Sequence, residues 1–346
     1  MKKLLFLIFG GFIVLVIAKQ SNVSDFIAPI PEKLREVSGK LISPTPFPFQ
    51  EMTIPSLKSR TYSSELGNLK AIGSAGSYTR YLTSYQSDGL KVNGLFTIPS
   101  GEEPTDGWPA IIFIHGYIPP TLYRTQQNYA SYVNYLARNG FVVFKIDLRG
   151  HDQSEGEPGG AYYSEDYIVD VLNARAALQK ADFVNPDKIG LWGHSMAGNV
   201  VFRSLASRPD IPAVVIWDGA VYSYEDFVKY RLNDNSYRPP SSNVQRQRRR
   251  QQLFDTYGEF TPDSPFWQQV AATNYLDDIK GAIQLHHAVD DTVVNIGYSI
   301  DLITKLDKTS IPHEFYEYPS GGHNLTGNSY NQAMARTVEF FKKYLK

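Results

Sequence analysis

Gly193-His194-Ser195-Met196-Ala197-Gly198 constrains the fold of this chain more than any other stretch. Lys188-Ile189-Gly190-Leu191-Trp192 ahead of it reads as a strand, and Met196, Val200, Val201, Leu205 and Ala206 behind it recur at helical spacing. A strand that passes almost directly into a helix must turn sharply. The residue at the apex is held in a strained backbone conformation that lifts its side chain above the carboxyl edge of a sheet. Ser195 sits at that apex. Small residues flank such a turn because strand and helix come too close for side chains; here Ala197 stands two places after the serine, and Gly198 follows one place late. A G-x-S-x-A match is weak by itself, and its meaning depends on partners elsewhere in the chain.

A serine hydroxyl is a poor nucleophile until a base takes its proton, and the base needs a third group to hold its tautomer. On a sheet entered through such a turn the chain order is Ser, Asp, His. The apolar run Ile283-Gln284-Leu285-His286-His287-Ala288-Val289 stops at Asp290-Asp291-Thr292-Val293-Val294, and His313-Glu314-Phe315-Tyr316-Glu317-Tyr318 stops at Pro319-Ser320-Gly321-Gly322-His323. Both read as strands ending in a loop. His323 is assigned as general base and Asp290 as its orienting carboxylate. The plainer alternative has Asp290 and Asp291 starting a turn or capping a helix near Asn295, with His323 an ordinary loop histidine. Three strand-end signals in the order Ser, Asp, His favour the triad.

Ala110-Ile111-Ile112-Phe113-Ile114-His115-Gly116-Tyr117 reads as a buried parallel strand with a glycine at its exit. Its turn is expected to bring the backbone N–H of Tyr117 beside that of Met196, where the pair would stabilise an oxyanion. His115 is expected to prop the loop, with no part in the chemistry.

With these residues in view the chain resembles the α/β-hydrolase superfamily, and within it the catalytic domain of the prolyl oligopeptidase family and its dienelactone-hydrolase-like relatives. Ile114-His115-Gly116, Asp147-Leu148-Arg149-Gly150-His151 followed by Ser154-Glu155-Gly156, the serine turn, Asp290-Asp291-Thr292-Val293 and Gly322-His323 carry the resemblance, over roughly residues 78–346. It implies that the aspartate three residues before the valine, Asp290, is the triad member. Ala197 and His287 depart from the family pattern.

Elsewhere the sequence fills in the architecture. Ser87-Asp88-Gly89 between apolar-alternating runs at 80–85 and 90–96 predicts an opening hairpin. A helix over 126–139, a strand over 141–146, a helix over 164–181 and a strand over 213–217 then alternate, which predicts a mostly parallel sheet with helices on both faces. Residues 218–277 break that rhythm and are expected to form a small helical cap, whose Tyr222, Tyr224, Phe227, Tyr230, Phe266 and Trp267 either line a pocket or simply pack. Lys2 and Lys3 before an apolar run at 4–18 read as a signal peptide or signal anchor, which makes the protein extracytoplasmic, secreted or attached to the cytoplasmic membrane. Residues 19–76, with Ser43-Pro44-Thr45-Pro46-Phe47-Pro48, read as an extended linker to a catalytic domain at 77–346.

Composition excludes several classes. The formal net charge is −1 and there are no cysteines, so nucleic acid is not an expected partner, and disulfides and cysteine-ligated metals are ruled out. The cluster Arg246, Arg248, Arg249, Arg250, interleaved with glutamine, reads as a solvated helix face. No cofactor and no metal are expected. The sequence thus predicts an exported serine hydrolase that cleaves carboxylic esters or small amides through an acyl-enzyme, with a small-molecule ester or a short peptide as its substrate. Esterase is favoured over peptidase because fewer than 80 residues precede the core, too few for a propeller of blades needing roughly 40 residues each. A catalytically silent hydrolase fold serving as a binding module stands as a remote alternative.

Overall fold

In this computed structural model the described residues are 8–9, 12–13, 46–232 and 244–345. The chain divides into two units, Met1–Pro46 and Phe47–Lys346. The described part of the first is an antiparallel pair of short strands, Ile8–Phe9 and Phe12–Ile13; the rest of the expected signal segment, and the expected linker as far as residue 45, lie outside the described residues. No helix among the described residues is long and apolar enough to cross a membrane.

The linker boundary drawn from the sequence is too late. Residues 47–76 belong to the second unit. The proline-rich stretch ends at Pro48, and Thr53-Ile54-Pro55 then starts helix α1 (Ile54–Ser59), with the Thr53 hydroxyl accepting the Ser56 N–H. Met52, Ile54 and Leu57 are buried, and the buried Arg203 guanidinium donates to the Met52 carbonyl at 2.5 Å, clamping the segment to the domain.

One nine-stranded sheet runs through the unit. Its strands are β1 (Lys70–Ser74), β2 (Tyr78–Ser87), β3 (Leu90–Pro99), β4 (Trp108–Ile114), β5 (Val142–Ile146), β6 (Val184–His194), β7 (Ala213–Trp217), β8 (Ala282–Ala288) and β9 (His313–Tyr318), in the order β9-β8-β7-β6-β4-β5-β3-β2-β1. The three amino-terminal strands pair antiparallel and join β5 antiparallel, and the remaining pairings are parallel. The predicted hairpin turns at Asp88-Gly89, where both residues have positive φ, 54° and 77°. Central strands are apolar at nearly every position because both faces are covered. Ile112, Ile114, Phe144, Leu191 and Ile216 face a core shared with α1, α3 (Asp166–Gln179), α4 (Ala197–Ser207) and α8 (Gly297–Leu306). Their neighbours Ile111, Phe113, Val143, Trp192 and Val215 face the core under α2 (Ala130–Arg138) and α9 (Asn328–Tyr344). This is the mostly parallel sheet with helices on both faces predicted from the alternation of elements, and the α/β-hydrolase fold that the resemblance implied.

Between β7 and β8 the described residues form α5 (Tyr224–Tyr230), α6 (Val244–Tyr257) and α7 (Pro265–Val270). A capping box starts α5, with the Ser223 hydroxyl and the Asp226 carboxylate each taking the other's backbone N–H. Of the aromatics proposed for this segment, Tyr222, Tyr224, Phe266 and Trp267 are buried in the core and so pack. On α6 Arg248 and Arg250 are exposed, as a solvated face requires, and Arg249 is half-buried. Arg249 bridges Glu51 and Glu165 at 3.0 and 2.7 Å, and Arg250 lies over the Tyr163 ring.

Candidate active site

Parallel strands end on the same edge, so the carboxyl ends of β6, β8 and β9 deliver Ser195, Asp291 and His323 to one place. Ser195 has φ 57°, a left-handed conformation costly for a residue with a side chain. Backbone bonds hold it there: the Ser195 N–H donates to Trp217 O at 2.9 Å, and its carbonyl accepts from Gly198 N at 2.8 Å. The irregular motif has a steric explanation. A Cβ on Gly193 would lie 3.0 Å from the Ala197 methyl and 2.7 Å from Val201 Cγ2, whereas a Cβ on Gly198 would lie 2.7 Å from Gly219 Cα. Glycine is therefore needed one place later than the pattern assumes, where α4 meets the β7 exit, and Ala197 fits at the intervening position.

His323 Nε2 lies 2.8 Å from Ser195 Oγ, and His323 Nδ1 lies 2.7 Å from Asp291 Oδ2. The carboxylate on the imidazole is thus Asp291, and the sequence assignment of Asp290 to this contact is corrected. After β8 ends at Ala288, Val289 and Asp290 point outward, while the Asp291 side chain is fully buried. Asp291 Oδ1 accepts the N–H groups of Val293 and Val294 at 2.8 and 3.0 Å, leaving Oδ2 for His323. Burial pushes the Asp291 carboxyl up, but bonds from His287, His323 and the backbone outweigh it and hold it well below the usual carboxylate range. Asp290 instead accepts from the N–H groups of Gly322 at 2.8 Å and Gly321 at 3.3 Å, bracing the loop that carries His323.

The other sequence candidates lie close by. Tyr117 follows Gly116 at the exit of β4. Met196 sits at the start of α4, where helix geometry leaves N–H groups without intrahelical acceptors. His115 lies between the carbonyls of Gly116 and Asp147, at 2.7 and 3.1 Å, and props the exit of β4; burial pushes its ring down to about 3.

The loop from β4 to α2 is tied down around Asp147 by Lys145, Tyr123 and Thr125, which the sequence reading did not single out. Buried Lys145 on β5 donates to the Tyr123 hydroxyl at 2.9 Å, and Tyr123 donates to Asp147 Oδ1 at 2.8 Å. The Thr125 hydroxyl lies 2.6 Å from Asp147 Oδ2 and 2.7 Å from Asp152 Oδ2. Removing the lysine charge alone would strand Asp147 in the core. Lys145→Met is therefore expected to cost about 3–5 kcal/mol of stability, measured by urea unfolding; a cost below about 1 kcal/mol would mean that Lys145, acting on Asp147 through Tyr123, is not the anchor.

Asp218, His287 and Asp291 bring one ligand-type atom each within 4.8 Å of one another, which poses the question of a metal. His287 Nε2 lies 2.9 Å from the Val294 carbonyl, which only accepts, so that nitrogen carries its hydrogen and has no lone pair to offer. Its Nδ1 faces the Ser299 hydroxyl at 2.8 Å. Burial raises the Asp218 carboxyl far above its ordinary range; Oδ1 accepts the Ala288 N–H at 3.0 Å. A carboxyl that burial pushes toward its neutral form and an imidazole nitrogen committed to the Val294 carbonyl make a poor donor set for a cation.

A sequence profile of the prolyl oligopeptidase family matches residues 127–346. The chain is 30% identical over 134 residues to an uncharacterized 31.7 kDa protein of Escherichia coli, covering 37% of this chain and 42% of that one. It is 28% identical, also over 134 residues, to human dipeptidyl peptidase 8, covering 37% of this chain and 15% of the human protein. The chain thus spans less than half the length of these relatives. Acetyl xylan esterase 1 from Thermoanaerobacterium has a similar structure, with a TM-score of 0.58 at 20% identity over 90% of this chain and 98% of the esterase.

Proposed function

The chain belongs to the prolyl oligopeptidase family, and from that premise we propose that it is a serine hydrolase that cleaves small carboxylic esters, and short amides less well, through an acyl-enzyme. The observation that carries this reading is the unbroken line from Ser195 Oγ through His323 to Asp291, with contacts of 2.8 and 2.7 Å. Ser195 attacks the carbonyl carbon while His323 Nε2 takes its proton. Asp291 keeps hydrogen on Nδ1 and stabilises the imidazolium, and the N–H groups of Tyr117 and Met196 receive the oxyanion. His323 then protonates the leaving group, and water attacks the acyl-enzyme by the same route in reverse. No metal or cofactor is needed at any step of this scheme.

Ester is favoured over amide on two grounds. An amine leaves only after efficient protonation, which requires the substrate to be held in register. The likeness to an acetyl xylan esterase also extends over nearly all of that enzyme. Peptidase is the second reading, supported by the family and by the stretch shared with dipeptidyl peptidase 8. Matched p-nitrophenyl esters and aminoacyl or prolyl p-nitroanilides decide between them: kcat/KM is expected to be at least about 100-fold higher for the esters. Comparable values, or an anilide preference, would restore the peptidase reading.

A further inference from the structure

His194, the residue before Ser195, is buried and makes two directed contacts. Its Nε2 lies 2.6 Å from the main-chain carbonyl of His323, and its Nδ1 lies 2.7 Å from the Tyr129 hydroxyl. A carbonyl only accepts, so Nε2 carries the hydrogen and Nδ1 accepts from Tyr129. The Tyr129 oxygen in turn accepts the Gly116 N–H at 3.0 Å. Burial, and then the neighbouring His323, pushes the His194 ring down to about 3, so the ring is neutral and every donor in the line points one way.

The line begins one residue before Tyr117, passes one residue before Ser195 and ends on the backbone of His323. It joins three separate loops. Tyr129 is itself fixed, edge-on to Phe113 at 5.4 Å and to Trp192 at 6.2 Å, with φ 59° at the start of α2. Acyl transfer requires base, nucleophile and oxyanion donors in register, and a misplacement of 1 Å costs on the order of 100-fold in rate.

We propose that His194 and Tyr129 are positioning residues for acyl transfer: by holding the backbones of Gly116 and His323 to the serine turn, they set the oxyanion donor and the base without touching the reacting atoms. The inference rests on the hydrolase reading above. A neutral relay suits the task, because a cation so close to His323 would oppose the imidazolium that forms as Ser195 attacks. A residue serving only to fill the core would, when changed, lower stability and leave kcat per folded molecule alone.

The test compares wild type, Tyr129→Phe, His194→Gln and His194→Leu on a p-nitrophenyl ester, with the active fraction titrated by a fluorophosphonate. Tyr129→Phe removes one oxygen and is expected to lower kcat about 10- to 30-fold with KM within about threefold; His194→Leu is expected to lose about 100-fold. His194→Gln keeps an N–H for the His323 carbonyl and is expected to stay within about fivefold of wild type. Imidazole 15N NMR of wild type is expected to show His194 neutral with hydrogen on Nε2. Glutamine as damaging as leucine, unchanged kcat in Tyr129→Phe, or losses confined to KM or melting temperature would overturn the proposal. If His194→Leu does not fold, Tyr129→Phe decides. A wild type that takes up no phosphonate removes the hydrolase reading and this inference with it; a labelled wild type with indifferent variants removes this inference alone.

Discussion

Ser195→Ala is expected to lower kcat on a short p-nitrophenyl ester by about 10^4- to 10^6-fold, with residual turnover coming from binding and the oxyanion donors. The substitution removes one oxygen from a residue whose left-handed φ of 57° is imposed by the turn, and alanine suffers the same backbone strain, so the folded state should change little. His323→Ala is expected to be comparable, and the double variant little worse than either, because nucleophile and base act as a unit. Stopped assays on protein matched by melting temperature check this, together with stoichiometric fluorophosphonate labelling of wild type and none of Ser195→Ala. Wild-type protein that is folded yet unlabelled would leave the binding-module alternative in place. Labelling that persists in Ser195→Ala would put the nucleophile elsewhere.

The parts of this protein that follow from short-range pattern were legible in the sequence. The strand-turn-helix at Ser195, the Asp88-Gly89 hairpin and the buried strands over 110–114, 142–146 and 213–217 each follow from local spacing, and the structure has them within a few residues. Chain order on a parallel sheet then places the ends of β6, β8 and β9 on one edge without further information. What pattern could not reach is direction. Asp290 and Asp291 are adjacent, and only the way the chain leaves Ala288 turns one outward and the other inward. A local signal existed: Asp291 is followed by Val293 and Val294, whose N–H groups its Oδ1 accepts, an Asx-turn arrangement. Long-range partnerships were hidden altogether. Nothing near His194 in sequence announces Tyr129, 65 positions away, or the His323 carbonyl, 129 positions away. Lys145 likewise reads as an interruption of an apolar strand until Tyr123 and Asp147 are seen around it. The Asp147-Leu148-Arg149-Gly150-His151 motif, quoted for its family resemblance, proves structural, with Arg149 paired to Asp170 at 2.7 Å and to Asp166 at 2.9 Å.

Asp291→Asn is expected to cost about 10^4-fold in kcat, and Asp290→Asn less than about tenfold. In Asp291→Asn the amide oxygen can still accept the Val293 and Val294 N–H groups, so the turn survives. Its NH2 group then faces His323 Nδ1 and forces that nitrogen to accept. The ring hydrogen moves to Nε2, where it meets Ser195 Oγ and removes the base. Asp290→Asn keeps an oxygen for the Gly322 N–H and loses only charge at an exposed site. A pH-dependent signature accompanies the difference. Because the folded Asp291 carboxyl sits well below the ordinary carboxylate value near 4, its ionised form contributes stability that is fully present above that value and is lost as pH falls through the lower, folded one. The stability gap between wild type and Asp291→Asn should therefore be constant from neutral pH down to about pH 5 and close as the solution is taken well below pH 4, whereas Asp290→Asn should show a far smaller gap. Kinetics on both variants and urea titrations at stepped pH read the two effects separately. Equal kinetic losses in folded protein, or a larger loss for Asp290→Asn, would return the orienting role to Asp290 and break the line of contacts on which the hydrolase reading depends.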